Sequence, residues 1–220
     1  MGTKDSDSMV IHIAVLPTEE CQPFYVAQQR GLYDSLGVVV QLDTFLAAMD
    51  ADTAFMNNQV QLLVSDSLKA RYLNRITKKD SIISIITDTL RLSMMTGKPT
   101  RIKSINSLKE KIIAVTRNSA IDYFADQTMD KANIKREYLN RPQINNIALR
   151  ADMLNLNQYD GAILPEPYAT QCEELGAYRI NSLKAPLMQV LVKKSVMKKR
   201  KQDILKVIEA YERVKGQCKM

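Results

Sequence analysis

The sequence is poor in the side chains that carry most enzymatic chemistry. It holds a single histidine, His12, and three cysteines, Cys21, Cys172 and Cys218. One imidazole gives a Ser–His–Asp or Cys–His relay little to draw on. The odd cysteine count, with no C-x-x-C spacing, argues against a disulfide framework or a zinc site. Gly-x-Gly-x-x-Gly and Gly-Lys-Ser/Thr are both absent, which leaves dinucleotide and ATP binding by those loops unsupported. No apolar run approaches the roughly 20 residues of a membrane span. No basic segment followed by an apolar stretch opens the chain, so no signal peptide is visible. Its start, Gly2-Thr-Lys-Asp-Ser-Asp-Ser8, reads as a disordered tether over residues 1–8. The expectation is therefore no catalytic residue, no metal and no cofactor.

What is present is ordinary for a globular chain of 220 residues, with 45% hydrophobic and 25% charged positions and a net charge of +7. Much of the excess is local, in Lys193, Lys194, Lys198, Lys199, Arg200 and Lys201. That run lacks interleaved aromatics and any helix-turn-helix or RRM signature, so it reads as a solvated turn entering the last helix, with no nucleic-acid partner. A mildly basic surface also suits anionic ligands.

The hydrophobic pattern alternates between strand and helix. Apolar runs at 10–16, 38–45, 60–64 and 81–87 read as strands, and 23–30, 50–57 and 68–73 as helices between them. Gly97-Lys98-Pro99 breaks the pattern, which then restarts. Strands follow at 111–115, 144–147, 161–164, 178–180 and 187–192, with helices at 120–132, 149–156, 166–175 and 202–214. This alternation argues for an α/β sheet protein.

The polar turns at the ends of these strands are the candidate site, because ligands of α/β sheets lie beyond the carboxyl ends of the strands. They supply Pro17, Thr18 and Glu19 after the first strand, Ser65 and Asp66 after the third, and Thr89 at the end of the fourth. In the second half they supply Arg117, Asn118, Ser119 and Glu166. Ser119 is a good N-cap for the helix at 120, and free N–H groups there, with Arg117 nearby, suit a carboxylate, sulfonate or phosphate. Glu166 lies between Pro165 and Pro167, which fix its backbone.

Three segments carry a family resemblance. Leu16-Pro-Thr-Glu with Pro23-Phe-Tyr-Val-Ala-Gln-Gln-Arg-Gly-Leu-Tyr resembles the opening of substrate-binding proteins of ABC importers, in the NMT1/THI5-like set that handles sulfonates, nitrate and thiamine precursors. Ser104-Ile-Asn-Ser-Leu-Lys-Glu-Lys-Ile-Ile-Ala-Val resembles that family's entry to its second lobe, and Asp160-Gly-Ala-Ile-Leu-Pro-Glu-Pro-Tyr-Ala its later strand–turn–helix. The similarity runs over residues 9–195. It implies a two-lobed type II periplasmic-binding-protein fold, each lobe a mainly parallel sheet flanked by helices. Lobe 1 would take 9–92 and 188–220, and lobe 2 would take 93–187. It implies a small organic ligand held between the lobes and an ABC permease as partner. It also implies a periplasmic or cell-envelope location, lipid-anchored in the native precursor.

Two departures bear on these implications. Phe45-Leu-Ala-Ala-Met49 lacks the glycines that meet an anion after the second strand, which argues against sulfonate or nitrate. The chain is shorter at its C-terminus than the family pattern, which is consistent with a trimmed gene, an exposed apolar face, or a partner chain, such as a second copy in a homodimer, supplying the missing cover. The alternatives on the same fold are an enzyme resembling the menaquinone-pathway chorismate dehydratases, with Asp66, Asp88 or Glu166 as its acid, and a ligand-sensing domain.

Overall fold

The computed structural model describes residues 9–77 and 81–217. The expected tether at 1–8 and Cys218 lie outside the described residues. In chain order the strands are β1 (Val10–Val15), β2 (Val39–Thr44), β3 (Leu62–Asp66), β4 (Ile82–Thr96), β5 (Ile113–Ala114), β6 (Gly161–Pro165) and β7 (Tyr178–Lys193). The helices are α1 (Gln22–Gln29), α2 (Leu32–Ser35), α3 (Ala48–Met56), α4 (Ser67–Ile76), α5 (Ala120–Lys131), α6 (Ile147–Asn155), α7 (Tyr168–Glu174), α8 (Lys194–Lys199) and α9 (Lys201–Lys215). The protein is mixed α/β.

The chain forms two compact units. One takes the described residues of Met1–Ser65, Ala70–Thr87 and Met188–Met220; the other takes Asp66–Lys69 and Asp88–Leu187. The chain passes from one to the other inside β4 and inside β7.

In the first unit β1 lies between β2 and β3 and is parallel to both, with Ile13 opposite Leu42 on one side and Leu62 on the other. A central parallel strand is buried on both faces, which is why β1 reads as an almost unbroken apolar run. Its Ile11, Ile13, Ala14 and Val15 are fully buried. Helix α1 starts with Pro23 in its first turn and stops before Gly31, whose φ of 64° is the left-handed conformation that glycine adopts without strain. The apolar face of α9 is Ile204, Val207, Ala210, Tyr211 and Val214, all buried. Tyr211 packs its ring 5.1 Å from that of Phe24 on α1. A second cluster joins Phe55 of α3, Leu63 of β3, Leu73 of α4 and Leu191 of β7.

In the second unit β6 pairs antiparallel with β4 and parallel with β5. Its core brings Met95, Ala114, Leu154, Tyr159, Leu164 and Cys172 together. Gly161 is required there: a Cβ at that position would stand 2.6 Å from the Met95 carbonyl oxygen and 2.7 Å from Ile113 Cδ1.

The sequence pattern misplaces several elements. The stretch 144–147 is not a strand. An isolated bridge pairs Val115 with Gln143 just before it, and Asn146, itself a bridge position, caps α6 by accepting the Leu149 N–H at 3.0 Å. The short strands expected at 178–180 and 187–192 are one strand of 16 residues, unbroken by Lys184 and Pro186. The run at 194–201 is not a turn but helix α8 and the start of α9.

Candidate functional site

In the first unit the turn after β1 is held by its own backbone. The Thr18 N–H bonds to the Leu16 carbonyl at 2.9 Å and the Cys21 N–H to the Thr18 carbonyl at 3.1 Å. The Leu16 N–H points at the Cys21 sulfur, 3.3 Å away. Pro17 and Glu19 are partly exposed, while Thr18 is 5% exposed. The buried Thr18 hydroxyl makes no hydrogen bond beyond its approach to the Cys21 thiol. Burial, with the Glu20 charge adding to it, pushes that thiol up to about 12. Cys21 is thus a neutral packing group rather than a nucleophile. Ser65, at the end of β3, also belongs to this unit. His12 pairs its Nδ1 with Asp43 at 2.8 Å across β1 and β2, a strand-to-strand contact.

The second unit gathers Asp66, Thr89, Arg117, Asn118, Ser119 and Glu166. Asn118 takes φ 55°, a left-handed conformation that asparagine tolerates. That turn directs Ser119 into the cap of α5, where its hydroxyl donates to the Thr116 carbonyl at 2.7 Å and accepts the Ile121 N–H at 3.2 Å. The Ala120 N–H is also taken, by the carboxylate of Asp66. Asp66 further accepts the Leu68 and Lys69 N–H groups, each at 2.9 Å, and so caps α4. The free N–H groups expected for a ligand anion at α5 therefore meet a carboxylate of the protein itself. Loss of water around that carboxyl raises its pKa, against the N–H bonds and Lys69, which oppose the rise. Arg117 is exposed, and its Nη2 donates to the Arg141 carbonyl at 3.0 Å. The Thr89 N–H bonds to Asp88 Oδ1 at 2.7 Å.

Glu166 is committed to structure. Its Oε2 accepts from the Thr170 N–H at 3.0 Å and the Thr170 hydroxyl at 2.8 Å, and its Oε1 pairs with Arg179 at 2.7 Å. Burial alone would raise its pKa, but the bonds from Arg179 and Thr170 outweigh that and lower it. Arg179 also holds Glu173 at 2.9 Å and the Ser93 hydroxyl. Its guanidinium is the hub of this cluster.

One group went unnoticed in the sequence. Arg150, on α6, is fully buried. Its Nη1 donates to Thr116 Oγ1 and to the Ile144 carbonyl, each at 2.7 Å. Among the described residues its Nε and Nη2 have no hydrogen-bond partner, and it forms no ion pair. Burial drives its pKa down to about 10, against the nearby Tyr159 phenol, which favours the charge. The Tyr159 hydroxyl donates to the Arg150 carbonyl. A positive charge without a counter-charge thus lies under the turn at 116–119, at the carboxyl end of β5. The signal was legible: Ile147, Arg150, Ala151 and Leu154 fall at i, i+3, i+4 and i+7, which places the arginine on the apolar face of its helix.

The model of a known family, described as NMT1/THI5 like, matches residues 18–213. The chain belongs to the NMT1/THI5-like family. A comparison with curated proteins finds no match. Solved structures resemble this NMT1/THI5-like chain in fold. The ligand-binding component of an ABC-type import system from Staphylococcus aureus is 14% identical over 92% of this chain and 72% of that one, with a TM-score of 0.80. The alkanesulfonate-binding protein SsuA from Xanthomonas axonopodis pv. citri, bound to MOPS, is 12% identical over 94% and 73%, with a TM-score of 0.78. The periplasmic nitrate-binding protein NrtA from Synechocystis PCC 6803 is 10% identical over 92% and 60%, with a TM-score of 0.80. The fold is that of the periplasmic binding proteins. No helix among the described residues is long and apolar enough to cross a membrane.

Proposed function

We propose that this NMT1/THI5-like protein is the solute-binding component of an ABC importer, capturing a small organic ligand at the turns that end its strands. The family match over residues 18–213 carries this reading. It works in the cell envelope, lipid-anchored, and passes its ligand to a membrane permease. The relatives named for sulfonate and nitrate supply a precedent for capturing anions. Here the Ala120 N–H at the N-terminus of α5 is already met by Asp66. Arg150 makes the turn at 116–119 electropositive in a low-dielectric setting. A ligand presenting an anionic or strongly hydrogen-bond-accepting group to that turn is favoured.

The test is native mass spectrometry of the purified protein, with identification of whatever denaturation releases. An organic compound that leaves the protein unchanged after incubation supports the receptor reading, and the same spectrum gives the oligomeric state that bears on the expected homodimer. A compound that is converted on the protein overturns it in favour of an enzyme.

A further inference from the structure

The basic run that no ligand reading uses forms one exposed surface of the first unit. Lys194 opens α8 and Lys198 follows at i+4, so both ammonium groups stand on one side of that helix. Lys199 closes α8 and Lys201 opens α9. All of Lys194, Lys198, Lys199 and Lys201 are exposed. None of them enters an ion pair among the described residues. The nearest acid along the chain, Asp203, is held by Arg200 at 2.7 Å and does not offset them. Lys193 turns inward instead and binds the Met56 carbonyl and Asn58.

Apolar side chains flank the charges. Arg200 donates to the Met9 carbonyl at 2.7 Å, which fixes Met9 beside the run, and Met9 is 66% exposed. Leu205, at i+4 from Lys201, is 43% exposed. Lysines outnumber arginines here, and a flexible lysine acts as a hydrated point charge rather than as a fork for one partner geometry. Aromatic side chains that would stack on bases are absent from the run. Long, unneutralised ammonium groups with exposed Met and Leu beside them match an anionic lipid surface, where each basic residue adds to the attraction.

We infer that the α8–α9 face of the first unit docks on membranes through anionic phospholipid headgroups. The surface is peripheral: it adsorbs and does not insert a span. It holds the protein close to the bilayer, where its importer partner resides, by contacts that salt screens.

The test is co-sedimentation of the full chain with vesicles of phosphatidylcholine, with and without phosphatidylglycerol. Binding is expected only to the phosphatidylglycerol vesicles, and it is expected to disappear as salt shortens the Debye length from about 10 Å toward 3 Å. Lys194→Glu/Lys198→Glu/Lys199→Glu/Lys201→Glu should abolish it. The milder Lys198→Gln/Lys199→Gln, which removes the charge and keeps helix propensity, should lower the partition coefficient by roughly tenfold or more. Each variant is checked for an unchanged thermal transition. Equal binding to neutral vesicles, no binding to either kind, or full binding by the folded glutamine variant overturns the inference. So does tighter binding of random-sequence duplex DNA than of the anionic vesicles at equal salt.

Discussion

The turns at 16–21 and 116–119 perform the same task, carrying a strand into a helix, with opposite means. The first is uncharged inside. A backbone turn, a neutral thiol and one hydroxyl fill it, and its acids, Glu19 and Glu20, sit in the outer, partly exposed part. The second is wired by charge and hydrogen bonds: Arg150 to Thr116, Thr116 to Ser119, and Asp66 to Ala120. The difference teaches that a strand-end turn can be stabilised either by dryness or by polar saturation. The second route leaves behind a buried charge.

The sharpest way to break the comparison is to discharge the second turn. Arg150→Met removes a buried cation without a counter-charge, but it also leaves the Thr116 hydroxyl and the Ile144 carbonyl without their bonds to Nη1. Denaturant melts should lose about 1–3 kcal/mol, while calorimetric affinity for any ligand that native mass spectrometry identifies falls by about tenfold or more, the worth of a charge-assisted contact. A large loss of stability with affinity intact would make Arg150 purely structural. Ser119→Ala should cost about 1 kcal/mol of stability, as the loss of a helix cap does. Its counterpart in the first turn, Thr18→Val, should cost less than half of that, because the hydroxyl it removes has so little to bond. Equal costs would mean that the two turns are stabilised alike.

Titration separates the two carboxylates of the second unit. Asp66 has a raised pKa in the folded state, so the native protein binds more protons than the unfolded chain just above the ordinary aspartate range. Its contribution is therefore lost as pH rises through the folded value. Glu166 is lowered, so its contribution is present above the ordinary glutamate range and lost as pH falls through its folded value. Stability measured against pH should lose the first component in Asp66→Asn and the second in Glu166→Gln. The smallest effect expected is none at all. Cys21, pushed up to about 12 and buried, should resist alkylation in the native protein at neutral pH and react only on unfolding.

Where the chain obeyed simple periodicity, its architecture could be read directly. The buried run of β1, the Pro23 start and Gly31 stop of α1, and the stripe of Ile204, Val207 and Tyr211 on α9 are each local consequences of burial or backbone freedom. The motifs at 16–33, 104–115 and 160–169 carried the family. What stayed hidden depended on contacts distant in sequence. Nothing near Glu166 announces that Arg179 will bind it, and nothing near Ser119 announces that Asp66 will reach the first turn of its helix. The prolines round Glu166 suggested a carboxylate held ready for a ligand; that carboxylate is bonded to Thr170 and Arg179. Arg150 alone was written plainly, an arginine in an apolar stripe.

The passage of the chain through β4 and β7 has a consequence for synthesis. The second unit is nearly one continuous stretch, from Asp88 to Leu187, and all of it has been synthesised before β7 is complete. The first unit cannot close until α9 emerges and Tyr211 meets Phe24, a pair separated by most of the chain. The half that is made first is therefore finished last. Until α9 arrives, Phe24 on α1 lacks the ring that covers it.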